Sequence, residues 1–256
     1  MKTVHFVRHG ETEQNKDGIW QGHTNTQLSK TGKAQAKLLS KRINLKNQTV
    51  FTSDLARAKE TAYFLSDSPN VRENLREINV GDFTGKSVKE TYSNNLDIFD
   101  ALQYDTYVFP NGESVQEFKL RVQKEVDHIF DNIDEDSECV VVTHGFFIGT
   151  AIGLVLGFNQ YPYPIGNIQN TSVSTVIKRD SVMQVNKFND AIHLPNSYID
   201  YPAKDKSRIL TFIRHGQTDS NTQGVWQGHV DNPLNTYGVE TAKELKGKFS
   251  NYDLYL

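Results

Sequence analysis

Along the first two hundred positions, short apolar runs alternate with stretches of helical period. Thr3–Val7 (TVHFV), Thr49–Ser53 (TVFTS) and the ECVVVT segment ending at Thr143 are β-branched and apolar, the pattern of buried strands. Between them the period lengthens. A helix is expected from about Ser29, with Ala34, Leu38, Leu39 and Ile43 on one stripe. DLARAKETAYFL opens a second helix, with Asp54 as its N-cap. In SVQEFKLRVQKEVDHIFDNI, residues Val115, Phe118, Val122, Val126, Ile129 and Ile133 recur at three- and four-residue intervals, which predicts an amphipathic helix. FFIGTAIGLVLG reads as an apolar helix packed on the sheet, and NTSVSTVIKRDSVMQVNKFN as two strands joined by a turn. The stretch Val71–Gly112 is irregular, and within it residues 78–112, with Phe83, Tyr92, Phe99, Tyr104, Tyr107 and Phe109, are expected to form a cap whose aromatics are its own core.

Strands alternating with helices predict an α/β fold: a three-layer α/β/α sandwich with a mostly parallel central sheet, spanning residues 1–195. LPNSYIDYPAKDKSR, with two prolines and five charges, reads as a linker centred on 196–207. Beyond it the chain repeats itself. Phe6–Gly32 aligns on Phe212–Gly238 without a gap, and Arg, His, Gly, Thr, Asn, Trp and Gln recur in place. Leu256 aligns with Val50, so residues 208–256 are expected to be a truncated second copy of the domain's N-terminal part, unable to bury its own apolar faces. It is either a remnant of a tandem protein or a partial domain that docks on the first or swaps into a neighbouring chain.

Composition narrows the function. A net charge of −3 gives no general attraction to nucleic acid or to an anionic membrane. No stretch is long and apolar enough to span a bilayer, and the first residues do not read as a signal peptide. The one cysteine, Cys139, sits in an apolar strand and reads as a core thiol, which points to a reducing, cytoplasmic setting. Nothing in the pattern specifies an oligomeric state.

Two histidines followed by glycine, His9 and His144, end predicted strands, and in open α/β sheets ligands bind at that edge. Arg8 stands beside the first, and Arg57 lies just past another strand. Two guanidiniums and two imidazoles on one edge make a cationic pocket suited to phosphate oxygens. A metal site is not expected: there is no HExxH and no Cys pair, and His5 and His9, four apart and expected to point the same way, lack a third ligand. His5, His23 and His128 are read as structural, and Trp20 as a packing anchor under the loop.

RHGET at Arg8–Thr12 resembles the signature of the histidine phosphatase superfamily, whose best-known branch is the cofactor-dependent phosphoglycerate mutases. TSDLARAKETA (Thr52–Ala62), LREINVGDFTG (Leu75–Gly85), PNGES (Pro110–Ser114) and VVTHG (Val141–Gly145) follow in the family's order. The resemblance implies that His9 is a nucleophile that becomes phosphorylated, that Arg8, Arg57 and His144 hold the phosphoryl group, and that Glu77 protonates the leaving oxygen. It implies that Asn15, Gln21 and Gly22 line the phosphate site. With both arginines and a protonated His144 supplying charge, no metal or other cofactor is expected. A carboxyl acting as general acid needs a raised pKa, which predicts a mildly acidic to neutral optimum. The short separation of Glu77 from His144 resembles the phosphatase branch rather than the mutases, as does WQGHTNTQLS. The expected reaction is therefore hydrolysis of a small phosphomonoester. Mutase-type phosphotransfer is the alternative, and a phosphate-binding protein without catalysis a third reading.

Overall fold

A computed structural model describes residues 1–43, 48–94, 107–158, 167–195 and 213–246. The chain divides into two units, Met1–Ser197 and Tyr198–Leu256. The first is built on one six-stranded sheet in the order β3-β2-β4-β1-β5-β6. Its strands are β1 (Lys2–Arg8), β2 (Thr49–Ser53), β3 (Asn70–Arg72), β4 (Glu138–Thr143), β5 (Val173–Arg179) and β6 (Val182–Asp190). The first four run parallel, and β5 and β6 form an antiparallel edge.

Residue-by-residue alternation along the strands makes the three layers. Val4, Phe6, Cys139 and Val141 join one buried cluster, with the apolar faces of α5 (Val115–Asn132) and α6 (Gly145–Val155). Their neighbours Val7, Val140 and Val142 join another, with Leu39 of α2 (Lys30–Arg42) and Ala58 and Ala62 of α3 (Ala56–Tyr63). Strands covered on both faces need no polar side, which is why they read as continuous apolar runs. Two short helices, α1 (Glu13–Lys16) and α4 (Val88–Asn94), lie in the loops. No helix among the described residues is long and apolar enough to cross a membrane.

All six periodic positions of α5 are buried, behind a capping box of Ser114 and Glu117. Helix α2 is rotated from the expected stripe. Gly32, Ala36 and Leu39 are buried, and Ala34 faces solvent. The cause is Gly32, where a Cβ would stand 2.1 Å from the Glu11 carbonyl oxygen, so the helix backbone itself sits against the loop. Asp54 does not cap α3. The N-cap is Leu55, without a side-chain bond, and Asp54 instead pairs with Arg76. Asn25 Oδ1 accepts the Ala56 N–H at 2.7 Å in its place.

The stretch read as irregular holds β3, two 3-10 turns (Glu73–Leu75 and Gly81–Phe83) and α4. Phe109 is fully buried and meets Trp20, Phe83 and Tyr107 edge to face, so these aromatics are the cap's interior. The Tyr92 side chain, Phe99, Tyr104 and the linker 196–207 lie outside the described residues.

The second unit contains α7 (Asp219–Thr222) and α8 (Thr236–Lys246), and no strand among its described residues. Its loop repeats that of the first unit. Thr218 and Asn221 form the capping box that Thr12 and Asn15 form there, and a Cβ on Gly238 would stand 2.1 Å from the Gln217 oxygen. Burial does not repeat: Trp20 is 6% exposed and its counterpart Trp226 98%.

Candidate active site

β1 and β4 are neighbours in register, with Arg8 opposite Thr143, so the next residues, His9 and His144, leave the sheet side by side. Their rings stand 5.1 Å apart, edge to face. β2, on the other side of β4, ends at Ser53, and the first turn of α3 beyond it supplies Arg57. Glu77 comes from the segment after β3. Four parallel strands therefore deliver five of the expected residues to one carboxyl edge.

His9 is buried and oriented at both nitrogens. Nδ1 donates to the Gly10 carbonyl at 2.7 Å, and Nε2 accepts from Arg57 Nε at 3.3 Å. An accepting ring nitrogen carries no proton, so Nε2 presents its lone pair. Burial, reinforced by Arg57 and Arg8, holds this imidazole well below its ordinary pKa and keeps it neutral.

His144 is held through Nε2, 2.9 Å from Ser53 Oγ. Its buried Nδ1 has no partner among the described residues. Burial and the neighbouring Arg57, His9 and Arg8 push this imidazole, too, well below the ordinary range. The same burial and neighbouring cations work against the expected protonated His144, and favour a hydrogen bond over a charge there.

The charge resides on the arginines. Arg57, only 1% exposed, donates from Nη1 to Thr24 O (2.7 Å) and from Nη2 to Gly22 O (2.9 Å). Burial pushes its pKa down to about 10, which leaves it a cation at neutrality. Gly22 has φ +48, and a Cβ there would stand 2.9 Å from Val80, so the loop approaches Arg57 only as glycine. Arg8 donates from Nη1 to the Ile168 carbonyl, and its buried Nε has no partner among the described residues. Arg57 is bonded to carbonyls and an imidazole and Arg8 to a carbonyl, neither to a carboxylate among the described residues. Desolvated cations without a bonded anion are costly, so the pocket favours one.

Glu77 accepts from Ile78 N (3.1 Å) and Phe146 N (3.2 Å), the latter in the first turn of α6. Burial raises its pKa above the usual carboxyl range, against the opposing pull of those N–H groups and the two arginines. Asn15 Oδ1 accepts from Thr12 N (3.2 Å) and Asn170 Nδ2 (3.4 Å). Gln21 Oε1 accepts from Thr26 Oγ1 at 2.7 Å. With their oxygens engaged, both amides keep their NH2 ends for an acceptor.

Two residues here escaped the sequence reading. Ser53 ends a buried strand, the same signal that marks His9 and His144. Asn170 donates to the His9 carbonyl at 2.9 Å, with no signal in its own neighbourhood. His23, read as merely structural, is joined to the site, its Nε2 donating to the Glu77 carbonyl at 2.8 Å. His5 is committed to Thr175 (3.0 Å) and Glu138 (3.4 Å); β1 ends at Arg8, so strand alternation does not carry on to His9. Cys139 is buried and its thiol is pushed up to about 12. Among the described residues no three His, Cys, Asp or Glu gather as metal ligands.

A probable phosphoglycerate mutase of Enterobacter sp. is 27% identical over 213 residues, 80% of this chain and 99% of its own length. A metal-independent phosphoserine phosphatase of Arabidopsis thaliana is 30% identical over 199 residues, 74% of this chain and 82% of its own. The structure of a phosphoserine phosphatase mutant from Entamoeba histolytica in complex with phosphoserine superposes with a TM-score of 0.68 at 28% identity, covering 76% of this chain and all of that one. The model of the histidine phosphatase superfamily, branch 1, matches residues 4–191 and again 210–255. The first match takes in all of the sheet but the first two residues of β1, with every residue described at its carboxyl edge, and the chain belongs to that superfamily as a phosphatase or mutase-like enzyme.

Proposed function

We propose that the chain is a metal-independent phosphatase that hydrolyses a small phosphomonoester through a phosphohistidine on His9. The observation that carries this reading is the unprotonated Nε2 of a buried His9 bonded to the buried Arg57 guanidinium, with the partly buried Arg8 next to it in the chain and neither arginine bonded to a carboxylate among the described residues. Arg8 Nε and His144 Nδ1, buried and without partners among the described residues, supply two further donors for phosphoryl oxygens.

The substrate dianion enters against Arg8 and Arg57, with the amide ends of Asn15 and Gln21 and the Gly22 turn framing it. Ser53 Oγ accepts the Leu55 N–H at 3.3 Å, which frees its own proton for His144 Nε2 and leaves the proton of His144 on Nδ1. His9 Nε2 is released from Arg57 Nε and attacks phosphorus. The P–O bond to the leaving group breaks as Glu77 passes its proton to that oxygen. Water then attacks phosphohistidine, Glu77 takes up the water's proton, and the N–P bond breaks to give inorganic phosphate and neutral His9. Phosphoryl transfer needs positioning and charge neutralisation above all, and two arginines provide both.

Water as acceptor is supported by the short interval between Glu77 and His144 and by the likeness to phosphoserine phosphatases. The likeness to a probable phosphoglycerate mutase favours the second reading, transfer back to a phosphoglycerate. p-Nitrophenyl phosphate hydrolysis in EDTA, parent against His9→Ala, tests the proposal. Expected are EDTA-resistant turnover, a loss on the order of 10³-fold or more in the variant, and an acid-labile phosphoprotein trapped only in the parent. Slow hydrolysis beside fast interconversion of 2- and 3-phosphoglycerate would establish the mutase. Turnover undiminished in His9→Ala would sink both.

A further inference from the structure

Glu77 lies between the two 3-10 turns, in a segment with no strand or helix of its own to fix it. One side chain from α5 takes up three of its carbonyls. Arg121 Nη1 donates to the carbonyls of Asn74 (2.9 Å) and Arg76 (2.9 Å), and Nη2 to that of Glu77 itself (3.2 Å). The mostly buried Glu113 carboxylate holds the guanidinium from the other end, through Nε (2.9 Å) and Nη2 (2.8 Å). Glu113 also closes on the same segment, accepting Asn79 N–H at 3.2 Å and donating its own N–H to Asn79 O at 2.8 Å. His23 Nε2 makes a second hold on the Glu77 carbonyl, at 2.8 Å. A planar guanidinium with its donors shared between a carboxylate and three carbonyls of one loop has few orientations left, and neither has the loop.

We propose that Arg121, locked by Glu113, is a positioning residue for the Glu77 acid, with His23 as its second hold on the same carbonyl. The inference rests on the reading of Glu77 as proton donor. Arg121 acts through the backbone and touches no reacting atom. Proton donation needs hydrogen-bond reach to the leaving oxygen, and a misplacement of about 1 Å costs up to about 100-fold. That loss has a signature, because it falls on esters whose leaving group needs a proton. Phenol, with a pKa near 10 like the tyrosine side chain, needs one; p-nitrophenolate departs as the anion.

The test compares kcat/KM for phenyl phosphate and p-nitrophenyl phosphate in the full chain. For Arg121→Met the expected loss is about 10- to 100-fold on phenyl phosphate and less than about threefold on p-nitrophenyl phosphate. Arg121→Lys falls between, since an ammonium cannot span the carbonyls and the carboxylate together. Glu77→Gln shows the same selectivity, and adding Arg121→Met to it costs nothing more. Equal losses on both esters, or a multiplicative loss in the double variant, overturn the proposal. If Glu77→Gln discriminates and Arg121→Met does not, the positioning role alone falls; if Glu77→Gln fails to discriminate, the acid assignment falls and takes the inference with it. Should Arg121→Met not fold, His23→Ala addresses the same carbonyl from a half-buried position. There a loss of about three- to tenfold confined to phenyl phosphate supports the proposal, and an unselective loss or none overturns it.

Discussion

At the residue scale, one dry pocket moves two titrations in opposite directions. His9 attacks only when neutral, and burial with two arginines lowers its pKa. Activity is therefore lost as pH falls through a value below the usual imidazole range. Glu77 donates only when protonated, and burial raises its pKa. Activity is lost as pH rises through a value above the usual carboxyl range. The two limbs bracket a mildly acidic optimum for kcat/KM on phenyl phosphate. An amide has no proton to lose in this range, so Glu77→Gln should erase the alkaline limb, keep the acid limb, and lower the plateau by about 10²- to 10⁴-fold. An alkaline limb that survives in Glu77→Gln would assign that titration to another group. His144 shows what reading residues singly leaves out: a histidine among expected phosphate ligands invites a positive charge, yet burial first, and then the neighbouring Arg57, His9 and Arg8, work against one.

At the element scale, the glycine-seated helix α2 positions the nucleophile loop. A Cβ on Gly32 would stand 2.1 Å from Glu11 O and 2.8 Å from Glu11 N, backbone atoms two residues past His9 that cannot turn aside. Gly32→Ala should therefore push α2 off the loop, at a cost of about 3 kcal/mol and on the order of 10 °C in Tm, with a fall in kcat. Gly18→Ala is the control. Gly18 has φ +64 but nothing within 4 Å of a Cβ, so only the backbone strain of about 1 kcal/mol applies. Equal shifts in the two variants would show that conformation, not contact, explains Gly32. The same glycine explains why periodicity does not give the stripe of α2: Ala34 falls on the predicted face, but a backbone contact fixes the rotation. The strands other than β3, helices α5 and α6, and the positions of His9, His144, Arg57 and Glu77 are legible because local period or motif order marks them, whereas β3, three residues long, carries no period. Ser53 and Arg121 are not. Their work consists of contacts with His144, 91 positions away, and with the Glu77 carbonyl, 44 positions away, and a polar residue at a strand end or on a helix does not say which distant group it will meet.

At the scale of the whole molecule, the RHG motif occurs twice, and the described residues complete a pocket around the first. His215 reproduces one contact of His9, its Nδ1 2.7 Å from the Gly216 carbonyl oxygen as His9 Nδ1 is from that of Gly10. Thr218 and Gly238 reproduce the cap and the glycine seat of that loop. These features follow from residues close in sequence, so they form wherever the sequence recurs. The rest of the pocket needs a sheet. His9 is buried just past the end of β1 and has Arg57 on its Nε2, whereas His215 is exposed and its one described hydrogen bond is to its own neighbour. On the proposed reading, desolvation and two fixed cations, not the RHG triplet, make an imidazole a phosphoryl acceptor. One phosphohistidine per chain is therefore expected. Tryptic mapping of the trapped intermediate should find phosphate on the His9 peptide and none on the His215 peptide, and His215→Ala should leave kcat/KM within about twofold of the parent, as a surface substitution does. Phosphate on His215, or a loss of activity in that variant matching His9→Ala, would mean that the second motif acquires a complete pocket.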